Sequence, residues 1–85
     1  MSRIGVIGIV VEDLSFIVRV NEILHEHSKI IIGRIGLPYK NRGISVISII
    51  VDGTTDEIGS LTGQLGSVKG INVKSALTKN IYDKI

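Results

Sequence analysis

Residues 44–52 read ISVISIIVD, and residues 4–12 read IGVIGIVVE. The two runs match position for position at a spacing of forty. Gly5 and Gly8 give way to Ser45 and Ser48, Val10 to Ile50 and Glu12 to Asp52. The echo continues downstream at a spacing of forty-one. Ile17, Val20 and Leu24 correspond to Ile58, Leu61 and Leu65, the same i, i+3, i+7 helical stripe. Ile30, Ile32 and Ile35 correspond to Ile71, Val73 and Ala76. Strand, helix, strand therefore occurs twice, and the second pass reads as a duplicate of the first.

Working outward, strand one spans about residues 3–11. Asp13 is its natural sequel as a helix N-cap, because its carboxylate can accept a backbone N–H of the first turn. Helix one runs to about His27 and strand two covers about residues 29–36. A hairpin loop from Gly36 to Gly43 holds the sole proline, Pro38. Strand three covers about residues 44–51 and is broken by Gly53. Thr54 or Thr55 caps helix two, with Glu57 in its first turn, and that helix ends near Gly66. Val68 to Gly70 turn into strand four, about residues 71–78, and residues 79–85 are expected as a frayed tail or an extra turn. The order βαββαβ predicts an α+β, ferredoxin-like single domain over residues 1–85. Its four-stranded antiparallel sheet carries both helices on one face, with strands one and three in the centre.

Alternation along those strands has a consequence for assembly. Ile4, Val6 and Val10 point one way and Ile7, Ile9 and Val11 the other; Ile44, Val46 and Ile50 oppose Ile47, Ile49 and Val51. Helices can cover one face, and the other is too apolar to stay in water, so a homo-oligomer (dimer or tetramer) is expected. Helix one agrees. Ser15, Arg19, Glu22 and Glu26 form a narrow polar stripe, leaving an apolar arc wider than one core contact needs. Gly59 and Gly63, in G-x-x-x-G spacing, permit close approach of another backbone, which suggests packing of helix two on the sheet ahead of a resting place for a ligand or partner helix.

Composition narrows the function. The chain has 85 residues, no cysteine and a net charge of +2. That excludes a disulfide framework and a thiolate metal site. No apolar run approaches the ~20 residues of a membrane span, and no signal-like segment opens the chain, which fits a cytoplasmic protein. The cations are scattered and the aromatic residues few, so DNA binding by this chain alone is not expected. No phosphate-binding glycine loop or nucleophile elbow occurs. His25 and His27 diverge by about 200° if both are helical, so they read as capping or surface residues more readily than as metal ligands. Glu12, Asp13 and Asp52 are expected to close the two central strands at the same end of the sheet. There they would serve as caps, or as an acid–base pair in a small enzyme. Tyr39, Lys40 and Arg42, in the hairpin loop, set an aromatic ring beside cations and could grip an anionic ligand or partner.

The stretches VNEILH (20–25), RIGLP (34–38) and IGSLTGQLGSVKGINVK (58–74) resemble the iron-only hydrogenase system regulator family over nearly the whole chain, from Ile4 to Thr78. That resemblance implies an ACT-like fold, similar in shape to the sensor domain of nickel-responsive repressors. It further implies a non-enzymatic role in regulating an iron-only hydrogenase system, with no catalytic residues and no cofactor carried over. ACT domains often bind an amino acid at a glycine in the first strand–helix turn, commonly within Asp-x-Pro-Gly. Here the turn is Glu12-Asp13-Leu14-Ser15, without the Pro-Gly, and Asp13 and Leu14 mark where an anionic or amino-acid-like ligand would sit. Nickel sensing through His and Cys ligands is not supported by a chain with two histidines and no cysteine. The resemblance brings no DNA-binding arm ahead of strand one. A direct DNA-binding regulator is the alternative reading, and a protein partner is possible in place of a ligand.

Overall fold

A computed structural model describes residues 2–78. Six main elements follow one another: β1 (Arg3–Val11), α1 (Ile17–Glu26), β2 (Ile31–Tyr39), β3 (Ile44–Gly53), α2 (Thr55–Gly66) and β4 (Ile71–Leu77). The sheet order is β2-β3-β1-β4 and every pair is antiparallel. This is the expected α+β, ferredoxin-like arrangement, with the two duplicated strands in the centre. The expected tail over 79–85 lies outside the described residues.

The core lies between the sheet and the helices. Ile7, Ile9 and Val11 of β1 and Ile47, Ile49 and Val51 of β3 are buried against Val20, Ile23 and Leu24 of α1 and Ile58, Leu61 and Leu65 of α2. The duplicated i, i+3, i+7 stripes supply most of the helical side, offset in α1 by Ile23, while Ile17 packs at its edge. α2 opens on a capping box. Thr54 Oγ1 accepts from the Glu57 N–H at 3.1 Å, and Glu57 Oε1 accepts from the Thr54 N–H at 2.8 Å. α1 is entered through a 3-10 turn, Leu14–Phe16, with Asp13 as its cap. His27 closes α1, its Nδ1 lying 2.8 Å from the Ile23 carbonyl.

Three expectations need correction. β2 runs through Tyr39, so the hairpin is only the 3-10 turn Lys40–Arg42 plus Gly43, whose φ is 66°. Pro38 is tolerated because β2 is an edge strand, where a missing N–H need not break a ladder bond. Second, the glycines of α2 do not pack on the sheet. Among the described residues, a Cβ at Gly59, Gly63 or Gly66 would meet nothing within 4 Å beyond its own helix backbone and chain neighbours. At ~100° per residue these positions fall about a third to a half of a turn from the Ile58–Leu61–Leu65 stripe, and they face outward. Third, Glu12 and Asp13 do not share an end with Asp52. Ile4 pairs with Asp52 and Val11 with Ser45, which puts the two carboxylate groups about 27 Å apart along the strands. Because the duplicated units run antiparallel, equivalent positions land at opposite ends of the sheet. The acid–base pair therefore does not exist in this fold.

Among the described residues, no element covers the second face of the sheet. Ile4 is 37% exposed, Val6 48%, Ile50 42%, Ile35 73% and Leu37 59%. Val10, Ile44 and Val46 lie between them on the same face. Among the described residues no helix is long and apolar enough to cross a membrane.

Candidate functional site

The turn after β1 is built by its contact with the turn before β4. The N–H groups of Glu12 and Asp13 both donate to the Gly70 carbonyl, at 2.7 and 3.1 Å. Gly70 sits at φ 74°, and a Cβ there would come within 2.5 Å of the Asp13 Cβ. Only glycine allows this approach. Asn72 Nδ2 donates to Glu12 Oε1 and holds that carboxylate against β4.

Within the turn, Asp13 Oδ1 accepts from the Ser15 hydroxyl at 2.6 Å and from the Ser15 N–H at 3.0 Å. The hydroxyl contact first, then the backbone one, holds the Asp13 carboxyl below its ordinary value. Phe16 N–H donates to the Asp13 carbonyl at 3.1 Å. Most donors of this turn are thus engaged inside the chain. What it offers outward is a fixed negative charge and the Leu14 side chain, 45% exposed.

The second candidate place lies at the same end of the sheet. Val11 pairs with Ser45 and Tyr39 with Ile44, so the Asp13–Leu14 turn and the Tyr39–Arg42 segment flank the start of β3. They serve different sides. The turn leads into the helix layer, whereas Tyr39, 43% exposed, follows Ile35 and Leu37 on the uncovered face. Lys40 and Arg42 are exposed and make no ion pair among the described residues.

His25 and His27 are not brought together. His27 lines a cleft of about 390 Å³ between the end of α1 and the start of α2, with Glu26, Lys29, Ile30, Asp56, Glu57 and Ser60. Its Nε2 lies 3.5 Å from both Ser60 Oγ and Gln64 Nε2. His25 lines a separate cleft of about 210 Å³ with Leu24, Ser28, Ile31 and Arg34, whose guanidinium donates to Asn21 Oδ1 at 2.6 Å. No cluster of three or more His, Cys, Asp or Glu side chains suited to a metal occurs among the described residues. The larger cleft has small-molecule dimensions. Sequence reading missed it because its walls come from helix ends about thirty residues apart, with no shared motif. At the opposite end of the sheet from Tyr39, Asp52 Oδ1 is buried with no hydrogen-bond partner among the described residues.

Comparison with known proteins places this geometry. Among curated protein sequences none matches the chain. A solved structure of an uncharacterized protein, TM1266 from Thermotoga maritima, is 36% identical, covers 93% of this chain and 100% of its own, and superposes with a TM-score of 0.87. A formyltetrahydrofolate deformylase from Pseudomonas putida KT2440 is 12% identical with a TM-score of 0.60, over 85% of this chain and 28% of its own. That likeness is one of fold alone, and agrees with an ACT-like domain. The family model described as "TM1266-like: Iron-only hydrogenase system regulator, putative" matches residues 3–75. Nearly the whole described domain falls within that match, and the chain belongs to the TM1266-like family.

Proposed function

We propose that the chain is a non-catalytic regulatory module of an iron-only hydrogenase system, working as an oligomer in the cytoplasm through protein contacts or a small ligand. The observation that carries this reading is the uncovered sheet face. Ile4, Val6, Ile35, Leu37 and Ile50 stand exposed together, an apolar surface suited to protein contact. Membership of a regulator family supports the same reading. A small anionic or amino-acid-like ligand would be met by Lys40 and Arg42 beside Tyr39, or at the Asp13–Leu14 turn. Both places sit at one end of the sheet, so a ligand there would touch the margin of the contact surface and could bias assembly.

The test is genetic and quantitative. Disrupting the gene in its host should change the transcript level or the activity of the iron-only hydrogenase, and restoring the gene should reverse the change. Unaltered hydrogenase transcripts and activity under both inducing and non-inducing conditions would sink the regulatory reading.

A further inference from the structure

The geometry points to a second copy of this chain as the cover of the open sheet face, laid face to face about a two-fold axis that lies between the sheets and runs across the strands. This rests on the oligomeric reading above and adds to it a surface and an orientation.

Size argues for a sheet rather than a helix as the occupant. Four strands spaced ~4.8 Å apart and nine residues long present a flat footprint of about 19 by 30 Å, or ~570 Å². An amphipathic helix about 10–12 Å across would leave much of that width wet. A second sheet covers all of it, and two such footprints exceed the ~1,000 Å² that a specific interface needs.

Charge sets the orientation. On this face β1 and β3 give three central rows: Val46 beside Val10, Ser48 beside Gly8, and Ile50 beside Val6. Ser48 is midway between Ile44 and Asp52. A two-fold axis through the Ser48–Gly8 row therefore lays the Ile44 end of one copy over the Asp52 end of the other. Asp52, which shares this face with its pair partner Ile4, then lies at the end where Lys40 and Arg42 of the second copy fall. An axis along the strands would instead gather Lys40 and Arg42 of both copies at one end of the dimer and both Asp52 at the other. Glu12 lies at the cationic end as well, but Asn72 already holds it. Lys74 falls beside the axis row at the β4 margin, where its stem can carry the ammonium past the edge into water. The small Gly8 and Ser48 let the sheets approach on the axis.

Sedimentation equilibrium of the full chain tests the proposal. The wild type should sediment at twice the chain mass. Val46→Asp should sediment at the single-chain mass while keeping a folded circular-dichroism spectrum. Gly8→Leu guards against misfolding of that variant. A Cβ at Gly8 meets nothing nearer than the Lys74 carbonyl at 4.0 Å, so the single chain has room for the change, but the dimer axis does not. Asp52→Lys should weaken dimerisation at least about tenfold, and adding Arg42→Glu should restore most of it. A monomeric wild type would overturn both this face and the oligomeric reading. Dimeric Val46→Asp and Gly8→Leu variants would overturn this face and leave oligomerisation standing. An indifferent Asp52→Lys, or one that Arg42→Glu does not rescue, would overturn the orientation.

Discussion

The two faces of the central strands are made of nearly the same residues and meet different fates. Ile7, Ile9, Ile47 and Ile49 are at most 2% exposed, while Val6 and Ile50, one position along the same strands, stand at 48% and 42%. Side-chain chemistry does not distinguish them. What differs is whether the chain supplies a cover. The same contrast separates two glycines. Gly70 lies against Asp13, and Gly63 has open space around it. A residue's contribution to this fold is set by what lies opposite, and substitutions on covered and uncovered sites should separate cleanly.

The largest effect is expected on the covered face. Ile49→Ala should lower unfolding stability by about 2–5 kcal/mol, because a fully buried side chain leaves a cavity. Val46→Ala, on the open face, should cost clearly less at concentrations where the chain is monomeric. Denaturant melts of both variants at low concentration decide it; equal losses would break the comparison.

Gly70→Ala should come next, at about 1–3 kcal/mol. The new methyl meets Asp13 and the backbone sits at positive φ, where an L side chain is strained. Thermal melts should show the loss. An unaffected variant would mean that the two turns separate readily.

Thr54→Ala removes the side-chain half of a formed capping box and should cost about 1 kcal/mol. Helical amide exchange near residues 55–58 should accelerate in step, and unchanged protection there would argue against the cap.

Gly63→Ala carries the opposite sign. With no atom within 4 Å and helical backbone, it should stabilise the monomer by about 0.5–1 kcal/mol. A loss instead would show that some partner rests on that side of α2.

The smallest effect concerns pH. Hydrogen bonds to Ser15 lower the Asp13 value below its ordinary 3.8. The stability they bring is fully present above that value and is lost as pH falls through the lower folded-state value. The difference in melting temperature between wild type and Asp13→Ala should therefore shrink only in strongly acidic solution. A difference that grows as pH falls would contradict the assignment.

Much of the fold was legible. The duplicated apolar runs marked the central strands, and the i, i+3, i+7 stripes marked the buried helix sides, because strand and helix periodicities are local geometric facts. Asp13 was legible as a cap for the same reason, and the cap of α2 was narrowed to Thr54 or Thr55, between which the structure selects Thr54. The reach of β2 through Pro38 was not, since proline stops a central strand but not an edge one, and edge position follows from the sheet order. The candidate site was legible only in pieces. Tyr39, Lys40, Arg42, Asp13 and Leu14 were each visible, but their shared end of the sheet was not.

The element order, the two apolar faces of β1 and β3, the cap candidates and the family resemblance could all be read from the residues alone. All of these rest on residues within a few positions of one another. Long-range packing set the rest: Asp52 and Glu12 lie at opposite ends, the α2 glycines face outward, Gly70 locks the Asp13 turn, and two helix ends form a cleft. Each of these depends on strand direction or on contacts between residues far apart in the chain. A repeat seen in sequence carries no sign of whether its copies run parallel or antiparallel, and the sheet's pairing supplies that sign.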